Sequence, residues 1–586
     1  MNSKDNEKVF KGLGVSPGIG IGVAHVRESG VILVPEYCVT AEGIEDECTR
    51  LKDASNRARR QIGRLRVKAR NMPGAASEEL GFLLEAYYHM LKDSRLIRGA
   101  EARIRDERIN AEVAIQAEVK EIGKDFAAMD DAYIASRLDD IREVSNRLVR
   151  SLTKTEVEPF SQAPKGSIVI AEELSPADTA QLDPQRIAGI ATILGGAEGH
   201  TAIMARALGL PAVMGAPGLI EGLKSGQRIV VDGERGQVVV APSAATLAAC
   251  ERRQAEILSE TRRLARLRHL PATTRDDIEI GLQANLELPI QMDMVGQAAA
   301  AGIGLLRTEY MFMNRHNIPG EEEQYLKLRD IVGKMDGKPV TVRTLDAGGE
   351  KASAAMFGDF GESASSALGL RGIRMSLART DIFEAQLKAI LRAGAHGNVR
   401  ILLPMVSTTS EVRRAREILA RAAKRLKRRR VPFADPLPPL GVMIEVPSAA
   451  LSADALAQVS DFFAIGSNDL TMYTLAIDRG DEQVAHLFDS LHPSVLRLIQ
   501  FSAEAGLRAR IPVSICGEIA GDPRYTALLL GLGFRELSMT AANIPRVKQR
   551  IRSMDLVAAD QRARVIMDQI DAGRIATLLD DFNALA

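Results

Sequence analysis

Residues 190–206 read IATILGGAEGHTAIMAR, a pattern that indicates a strand, a glycine turn and a helix in succession. An apolar strand pattern (190–194) runs into two glycines, and His200 opens an apolar pattern with helical spacing. Backbone N–H groups at a helix N-terminus lack partners within the helix and attract anions, and glycines allow close approach to the backbone. His200 is therefore placed to accept a phosphoryl group. The alternative is a structural histidine at a helix start.

The sequence on both sides of this stretch has the short strands of an α/β domain. Apolar runs at 167–171 and 228–232 flank it, and residues 11–40 read as short strands with Gly and Pro turns. Residues 42–154 differ, because they carry charged patterns with apolar residues at helical spacing. We predict an α/β domain built from residues 9–41 and 155–242, with residues 42–154 inserted as a helical subdomain.

The remainder of the chain alternates strand-like and helical patterns. Residues 243–270 form a charged helical pattern without glycine, which predicts a linker helix. Repeated strand–helix units over residues 271–586 predict a (β/α)8 barrel. Its candidate strands are 278–285, 302–308, 340–346, a shorter one near 369–373, 399–406, 441–446, 462–467 and 513–517.

The composition excludes several classes of protein. Lys plus Arg and Asp plus Glu number 76 each, Trp is absent and aromatic residues make up 4%, so we expect no nucleic-acid partner. The four cysteines are far apart in the sequence, which argues against a zinc site or a disulfide framework and fits a reducing, cytoplasmic setting. No apolar run of about 18 residues exists, so we expect no membrane span.

One strongly basic run, residues 413–430, alternates with Ala and Leu. It is open to two interpretations, a nucleic-acid patch or the solvated face of a barrel helix. We favour the barrel helix, because the run lies between two predicted strands and has helical spacing.

Charged side chains crowd the predicted carboxyl ends of the barrel strands, where barrel enzymes place their reactive groups. Arginine forks bind phosphate and carboxylate oxygens, and carboxylates are hard ligands suited to Mg2+. The pattern therefore predicts an anion site with a metal. The residues at these ends are Arg307, Glu309, Arg343, Asp346, Arg371, Arg374, Glu445, Asn468, Asp469, Arg479, Cys516 and Glu518.

Each of these residues also has a plainer interpretation. Arg307 with Glu309, and Arg343 with Asp346, could be salt bridges on the barrel rim. Cys516 is as consistent with a small buried apolar residue as with a reactive thiol.

The chain resembles the Enzyme I family of the bacterial phosphoenolpyruvate-dependent sugar phosphotransferase system over nearly its whole length. The motifs that carry the resemblance are GHTAIMAR at 199–206, GLLRTEYMFM at 304–313, RTLD at 343–346, FFAIGSNDLTMYTLAIDR at 462–479 and CGEIAGD at 516–522. The resemblance implies a phosphohistidine swivelling α/β domain with an inserted helical bundle, followed by a C-terminal TIM-type barrel. It also implies phosphoryl transfer from phosphoenolpyruvate to the enzyme's own histidine and then to the carrier protein HPr, with Mg2+ as cofactor and pyruvate as product.

The resemblance implies a role for each matching position. His200 matches the phosphoryl acceptor, and Cys516 matches the acid that protonates the enolpyruvate leaving group. Ser175 stands where the family has a threonine hydroxyl near the histidine. The implied phosphoenolpyruvate contacts are Arg307, Arg343, Asn468, Asp469 and Arg479, and the implied magnesium ligands are Glu445 and Asp469.

Two positions depart from the family pattern. Gly199 replaces the usual Ser or Thr before the histidine, which removes a hydroxyl contact. Ser365-Ser366 replaces Asn-Pro ahead of Arg371, which is a further expected substrate contact. Neither change removes a group that the chemistry requires.

Pyruvate phosphate dikinase and phosphoenolpyruvate synthase share the histidine loop and the barrel, but they need a large ATP-binding domain ahead of the histidine. Only 199 residues precede His200 and no glycine-rich nucleotide loop lies among them, so we expect no ATP-dependent activity. The complete set of reactive residues disfavours a regulatory protein without catalysis. We expect the barrel to form a homodimer and the helical subdomain to dock the carrier, either a sugar-uptake HPr or a nitrogen-regulatory homologue.

Overall fold

The structure is a computed structural model that describes residues 7–27, 34–70, 75–127, 132–153, 160, 163–179, 181–196, 200–221, 223–287, 291–312, 317–346, 367–478 and 484–584. The chain divides into two compact units, Met1–Glu260 and Thr261–Ala586. Within the described ranges, no helix has both the length and the apolar character needed to cross a membrane.

An eight-stranded mixed sheet forms the centre of the first unit. Its strands are β1 (Lys8–Lys11), β2 (Leu13–Ser16), β3 (Ile19–Arg27), β4 (Ser167–Ala171), β5 (Ile187–Thr192), β6 (Ala212–Met214), β7 (Arg228–Asp232) and β8 (Gln237–Val240). They lie in the order β1-β8-β7-β3-β4-β5-β6-β2. The four strands β3, β4, β5 and β6 pair in parallel, and the remaining pairs are antiparallel. All five residues of β4 are buried, as expected for a central strand covered on both faces.

Five helices lie between β3 and β4 in the sequence, within the range predicted to be helical: α1 (Ile44–Arg70), α2 (Ala75–Asp93), α3 (Arg95–Glu107), α4 (Ala111–Ala127) and α5 (Ala132–Thr153). Their apolar stripes meet in one core that includes Leu51, Leu84, Ile104 and Leu148. Three further helices are α6 (Pro176–Thr179), α7 (His200–Leu208) and α8 (Ala244–Arg266). The boundary between the two units falls within α8.

The second unit is a closed barrel of eight parallel strands, which confirms the predicted (β/α)8 architecture. The strands are β9 (Gly281–Leu286), β10 (Gly302–Leu306), β11 (Val340–Arg343), β12 (Val399–Leu403), β13 (Leu440–Ile444), β14 (Phe463–Gly466), β15 (Val513–Cys516) and β16 (Glu536–Thr540). Each strand pairs in parallel with the next, and β16 closes the barrel on β9.

Helices surround this barrel: α9 (Met292–Ala298), α10 (Glu321–Lys334), α11 (Gly372–Ala378), α12 (Thr380–Ala393), α13 (Thr409–Arg428), α14 (Pro447–Leu451), α15 (Ala453–Ala457), α16 (Ser467–Leu475), α17 (Pro493–Ala509), α18 (Glu518–Gly521), α19 (Pro523–Gly531), α20 (Ile544–Arg552), α21 (Leu556–Met567) and α22 (Ala572–Ala584). The basic run at 413–430 falls largely on α13, whose apolar face is buried, so its interpretation as a barrel helix is confirmed.

One predicted strand is wrong. Residues 369–373 form a turn and the start of α11. The backbone N–H of Arg371 donates a hydrogen bond to the carbonyl of Gly369, and Gly372 has a φ of +57°, which a strand does not allow. The eighth strand is β16, which the sequence analysis missed because Glu536 and Thr540 break its apolar pattern. Glu536 accepts a hydrogen bond from Arg400 at 3.1 Å, which explains how the charge is tolerated in a strand.

Side chains alternate along the barrel strands, so one set points to the helices and the other to the interior. The inward set forms an apolar cluster separate from the main core, and we call it the interior cluster. It consists of Leu305, Leu402, Met443, Phe462, Ala464 and Cys516.

Candidate active site

The carboxyl ends of the eight strands meet at one rim because all the strands are parallel. Arg307 follows β10, and Arg343 and Cys516 end β11 and β15. Glu445 follows β13, and Asp469 lies in the first turn of α16, directly after β14. The structure therefore brings these five residues together at one rim, as their places at strand ends predicted.

Arg343 is the central cation of this rim, with 8% of its side chain exposed. It donates to Glu309 at 2.9 Å and lies 3.3 Å from Asp346. Burial opposes the charge, but Glu309 and Asp346 outweigh it and raise the pKa of Arg343 above its ordinary value. The salt-bridge interpretation of Arg343 and Asp346 is thus correct as geometry, and it leaves the guanidinium charged and fixed.

Asp346 joins two arginines. Arg371 donates to it through both Nε (3.0 Å) and Nη2 (2.7 Å), a bidentate pairing that fixes the guanidinium plane. Burial acts to raise the pKa of Asp346, but Arg343 and Arg371 hold it below its ordinary value. The remaining Nη1 of Arg371 donates to the hydroxyl of Tyr473 at 3.2 Å, and that hydroxyl donates to the carbonyl of Ala367 at 2.6 Å.

Glu445 is fully buried and uses one carboxylate oxygen. Its Oε1 accepts a hydrogen bond from the backbone N–H of Met405 at 2.6 Å, whereas its Oε2 has no hydrogen-bond partner in the described part of the chain. Burial, together with the nearby Asp469 carboxylate, raises the pKa of Glu445 to about 8. A buried carboxylate oxygen without a hydrogen-bond partner lowers the stability of a packed core, and such oxygens are common in ligand-binding sites.

Cys516 is buried at the rim and is itself a member of the interior cluster. The Sγ–H donates to the carbonyl of Ile465 at 3.3 Å. Burial, followed by the charge of Glu445, raises the pKa of the Cys516 thiol to about 12. The thiol is therefore protonated at neutral pH, which suits a proton donor and does not suit a nucleophile.

The turn after Cys516 fixes Asn468 at the rim. Asn468 accepts from the backbone N–H of Glu518 at 3.1 Å and donates to its carboxylate at 3.2 Å. Ser467 donates to the carbonyl of Cys516 at 2.9 Å. Gly517 has a φ of +107°, and a Cβ there would overlap the Ser467 side chain, so this close approach requires glycine.

Arg307 is half exposed and pairs with Glu287 at 2.5 Å, not with Glu309 as the salt-bridge alternative supposed. It is the least constrained of the three rim arginines described here. Arg479, Gly199 and Ser365-Ser366 lie outside the described residues.

His200 is the first residue of α7 in the other unit. Thr201 donates to the carbonyl of Leu174 at 3.2 Å and anchors the start of the helix. Ala205 packs into the core beside the sheet, while Met204 packs into the helical core, so α7 is held on two faces. The hydroxyl of Ser175 donates to Asp178 at 2.9 Å.

The metal prediction can be tested against the donor set. No group of three or more His, Cys, Asp or Glu side chains suited to a metal occurs among the residues that the structure describes. Mg2+ commonly uses only one or two carboxylates and completes its shell with water and substrate phosphate. Glu445 with its free Oε2, together with Asp469, fits such a site.

Sequence reasoning missed two contributors to this rim. Tyr473 lies one helical turn after Asp469 on α16, and this spacing places both on one helix face, a signal that was present in the sequence. Met405 contributes only its backbone N–H and has a φ of +58°, for which the sequence gives no signal.

Comparisons with known proteins define the class. Three family models match the chain: the N-terminal domain of PEP-utilising enzymes at 11–137, their mobile domain at 163–236 and their PEP-binding domain at 261–556. The third range contains the whole rim described above.

The curated relatives narrow the class. A phosphoenolpyruvate-protein phosphotransferase of Cupriavidus necator is 40% identical, covering 95% of this chain and 96% of the relative. Proteins of the same name from Haemophilus influenzae (35%, covering 98% and 99%) and Geobacillus stearothermophilus (36%, covering 96% and 96%) are also similar. The chain therefore belongs to the phosphoenolpyruvate-protein phosphotransferase family.

Proposed function

We propose that this chain transfers the phosphoryl group of phosphoenolpyruvate to its own His200 and then to a histidine of the carrier protein HPr, releasing pyruvate as the first step of sugar phosphotransfer. The observation that carries the proposal is the barrel rim, where fixed arginines, a carboxylate with a free oxygen and a protonated thiol converge in a chain of this family.

Each region of the chain has a separate part in this proposed reaction. Residues 9–41 and 155–242 carry His200, and the inserted helices of 42–154 dock the carrier. Residues 243–270 link that part to residues 271–586, which bind phosphoenolpyruvate. His200 accepts the phosphoryl group in the first transfer and gives it to the carrier in the second.

Phosphoenolpyruvate binds at Arg307, Arg343, Asn468, Asp469 and Arg479 in this proposal. Arg343 is preorganised, because Glu309 and Asp346 fix it before substrate arrives. Arg307 can exchange its exposed partner Glu287 for a substrate oxygen at little cost, since exposed ion pairs contribute about 0–1 kcal/mol.

Glu445 and Asp469 are the proposed ligands of Mg2+, and the free Oε2 of Glu445 supports this assignment. Mg2+ held by these two carboxylates would supply positive charge that offsets the phosphate and the developing enolate. Asn468, held by Glu518, orients the substrate beside these carboxylates.

Phosphorus moves from the enol oxygen to a ring nitrogen of neutral His200, so the O–P bond breaks as the N–P bond forms. The bonding electrons remain on the departing enolate. Cys516 then gives its thiol proton to the enolate carbon, which yields pyruvate, and the thiol recovers a proton from water. A thiol pKa of about 12 keeps this proton on the sulfur at neutral pH until the more basic enolate carbon takes it.

The start of α7 supports the role of His200. Its backbone N–H groups favour the phosphoryl oxygens, and the packing of Met204 and Ala205 holds the helix still. The Ser175 hydroxyl, fixed by Asp178, is the nearby hydroxyl that the family resemblance implies.

The helical insertion offers an apolar depression for the carrier. A cavity of about 160 Å³ is lined by Met90, Ser94, Arg95, Leu96, Ile122 and Ile141, at the ends of α2 and α3 and on α4 and α5. An apolar centre with a cation at its edge is typical of a protein interface. We further propose a homodimer through the barrel and a cytoplasmic setting, where the four free cysteines stay reduced.

The test is incubation of the purified chain with labelled phosphoenolpyruvate, Mg2+ and each candidate carrier. We expect label on the enzyme, its transfer to a carrier histidine, and one pyruvate released per phosphoryl group. His200→Ala should abolish both transfers while the fold persists. Sedimentation with substrate and Mg2+ should give a dimer, and monomers alone would contradict that part.

A further inference from the structure

The second half of α13 and the turn after it form a dense basic surface. Residues 418–430 contain seven cations and no acidic residue, in a chain whose formal net charge is zero. All seven are exposed: Arg421, Lys424, Arg425, Lys427, Arg428, Arg429 and Arg430.

Acidic side chains among the described residues neutralise two of these cations. Arg425 pairs with Glu384 at 2.6 Å, and Arg429 pairs with Glu321 at 2.9 Å. The side chains of the other five have no ion pair or hydrogen bond with any described residue. They are Arg421, Lys424, Lys427, Arg428 and Arg430.

Helix stability does not account for this surface. Seven buried apolar residues, such as Ile418 and Leu426, already fix α13 to the barrel. Cations in the last turn complement the helix dipole, but Arg421 and Lys424 lie before that turn. Like charges three or four residues apart destabilise a helix by about 0.2–0.5 kcal/mol per pair, so the cluster has a cost.

Five of these cations border an open surface groove of about 650 Å³: Arg421, Lys424, Arg425, Lys427 and Arg428. No aromatic, amide or acidic side chain contributes to its lining. All of its lining groups are cations, so negative charge is the property that it selects.

The placement of the cations favours a flexible anion over a stiff one. At about 100° per residue, the five lining side chains spread over roughly 160° of the helix circumference. A nucleic-acid duplex is stiff over about 150 base pairs and reaches one side of a helix, whereas a flexible chain of phosphates can follow the whole arc. We propose that this groove binds linear inorganic polyphosphate.

The groove is separate from the candidate active site. The helix α13 starts at Thr409, after the carboxyl end of β12, and returns toward the amino ends of the strands. Residues 421–428 are therefore at the opposite end of the barrel from Glu445 and Cys516. Binding at the groove requires none of the residues proposed for phosphoryl transfer.

The experiment measures fluorescence anisotropy of labelled polyphosphate with the full chain at about 0.15 M ionic strength. The variant combines Arg421→Gln, Lys424→Gln and Arg428→Gln. The matched control removes three exposed cations that do not line the groove, by Arg413→Gln and Arg414→Gln in the first half of α13 and Arg497→Gln on α17. Both variants should keep the thermal midpoint and phosphoenolpyruvate-dependent labelling of the parent chain.

We expect labelled polyphosphate to bind the parent saturably and the affinity to fall at least about tenfold in the variant. The slope of log affinity against log salt concentration should be smaller by about 2 in the variant, since each of the three lost phosphate contacts contributes about 0.7. The control should bind like the parent. The proposal is overturned if the parent does not bind, if the control loses as much affinity as the variant, or if duplex RNA or ATP binds as tightly at equal phosphate concentration.

Discussion

The pKa of Glu445 predicts a link between pH, stability and magnesium. Burial and the Asp469 charge raise this pKa from 4.5 to about 8, a difference that corresponds to about 5 kcal/mol at 1.36 kcal/mol per unit. The folded carboxyl holds its proton more tightly than the unfolded one. Its contribution to stability is therefore complete below about pH 4.5 and is lost as pH rises through 8.

Magnesium requires the ionised carboxylate, so binding at Glu445 must release a proton below pH 8. At pH 7 about one site in ten is ionised, and apparent Mg2+ affinity should fall about tenfold per pH unit below 8. The stabilisation that a fixed Mg2+ concentration gives should accordingly increase between about pH 6 and 8.

The assay is chemical unfolding of the full chain across this pH range, with and without Mg2+. Glu445→Gln should flatten the decline of unfolding free energy without metal and remove most of the magnesium effect. Glu536→Gln, at the other end of the barrel, should keep both. A magnesium effect of equal size at pH 6 and pH 8, or an unchanged pH slope in Glu445→Gln, would refute the reasoning.

Three further substitutions test the rim. Cys516→Ala removes the proposed proton donor, so kcat should fall about 10²- to 10⁴-fold with little change in KM. Steady-state kinetics in which only KM rises would count against the acid role. Tyr473→Phe removes the hydroxyl that links Arg371 to α16. The lost hydrogen bond is worth about 1 kcal/mol, so KM for phosphoenolpyruvate should rise about fivefold. An unchanged KM would show that Arg371 does not need this hydrogen bond. Gly517→Ala forces an L-residue to a φ of +107° against Ser467, so the free energy of unfolding should fall by about 1–3 kcal/mol and turnover should be low. Thermal unfolding measures the first effect, and wild-type stability would be inconsistent with this turn.

The sequence predicted the barrel and most of its rim because the information is local. Parallel strands place their carboxyl ends together, so a charge after each strand predicts a shared site without knowledge of any contact. Arg343, Glu445 and Cys516 were found in this way. The buried face of α13 followed from helical spacing alone.

What the sequence could not predict depends on long-range contacts or on backbone conformation. β16 was missed because the partner that makes Glu536 acceptable, Arg400, is 136 residues away. The false strand at 369–373 was predicted because it would complete eight barrel strands, whereas the positive φ of Gly372 requires a turn there. The hydrogen bond that the backbone N–H of Met405 donates to Glu445 does not depend on the side chain of Met405, so no sequence pattern predicts it.

Mass spectrometry of the chain after incubation with phosphoenolpyruvate and Mg2+ tests the central claim most directly. The account predicts one phosphoryl group on the imidazole of His200, lost on acid treatment and absent when His200→Ala is used. An unmodified His200, or a phosphoryl group carried by another residue, would contradict it.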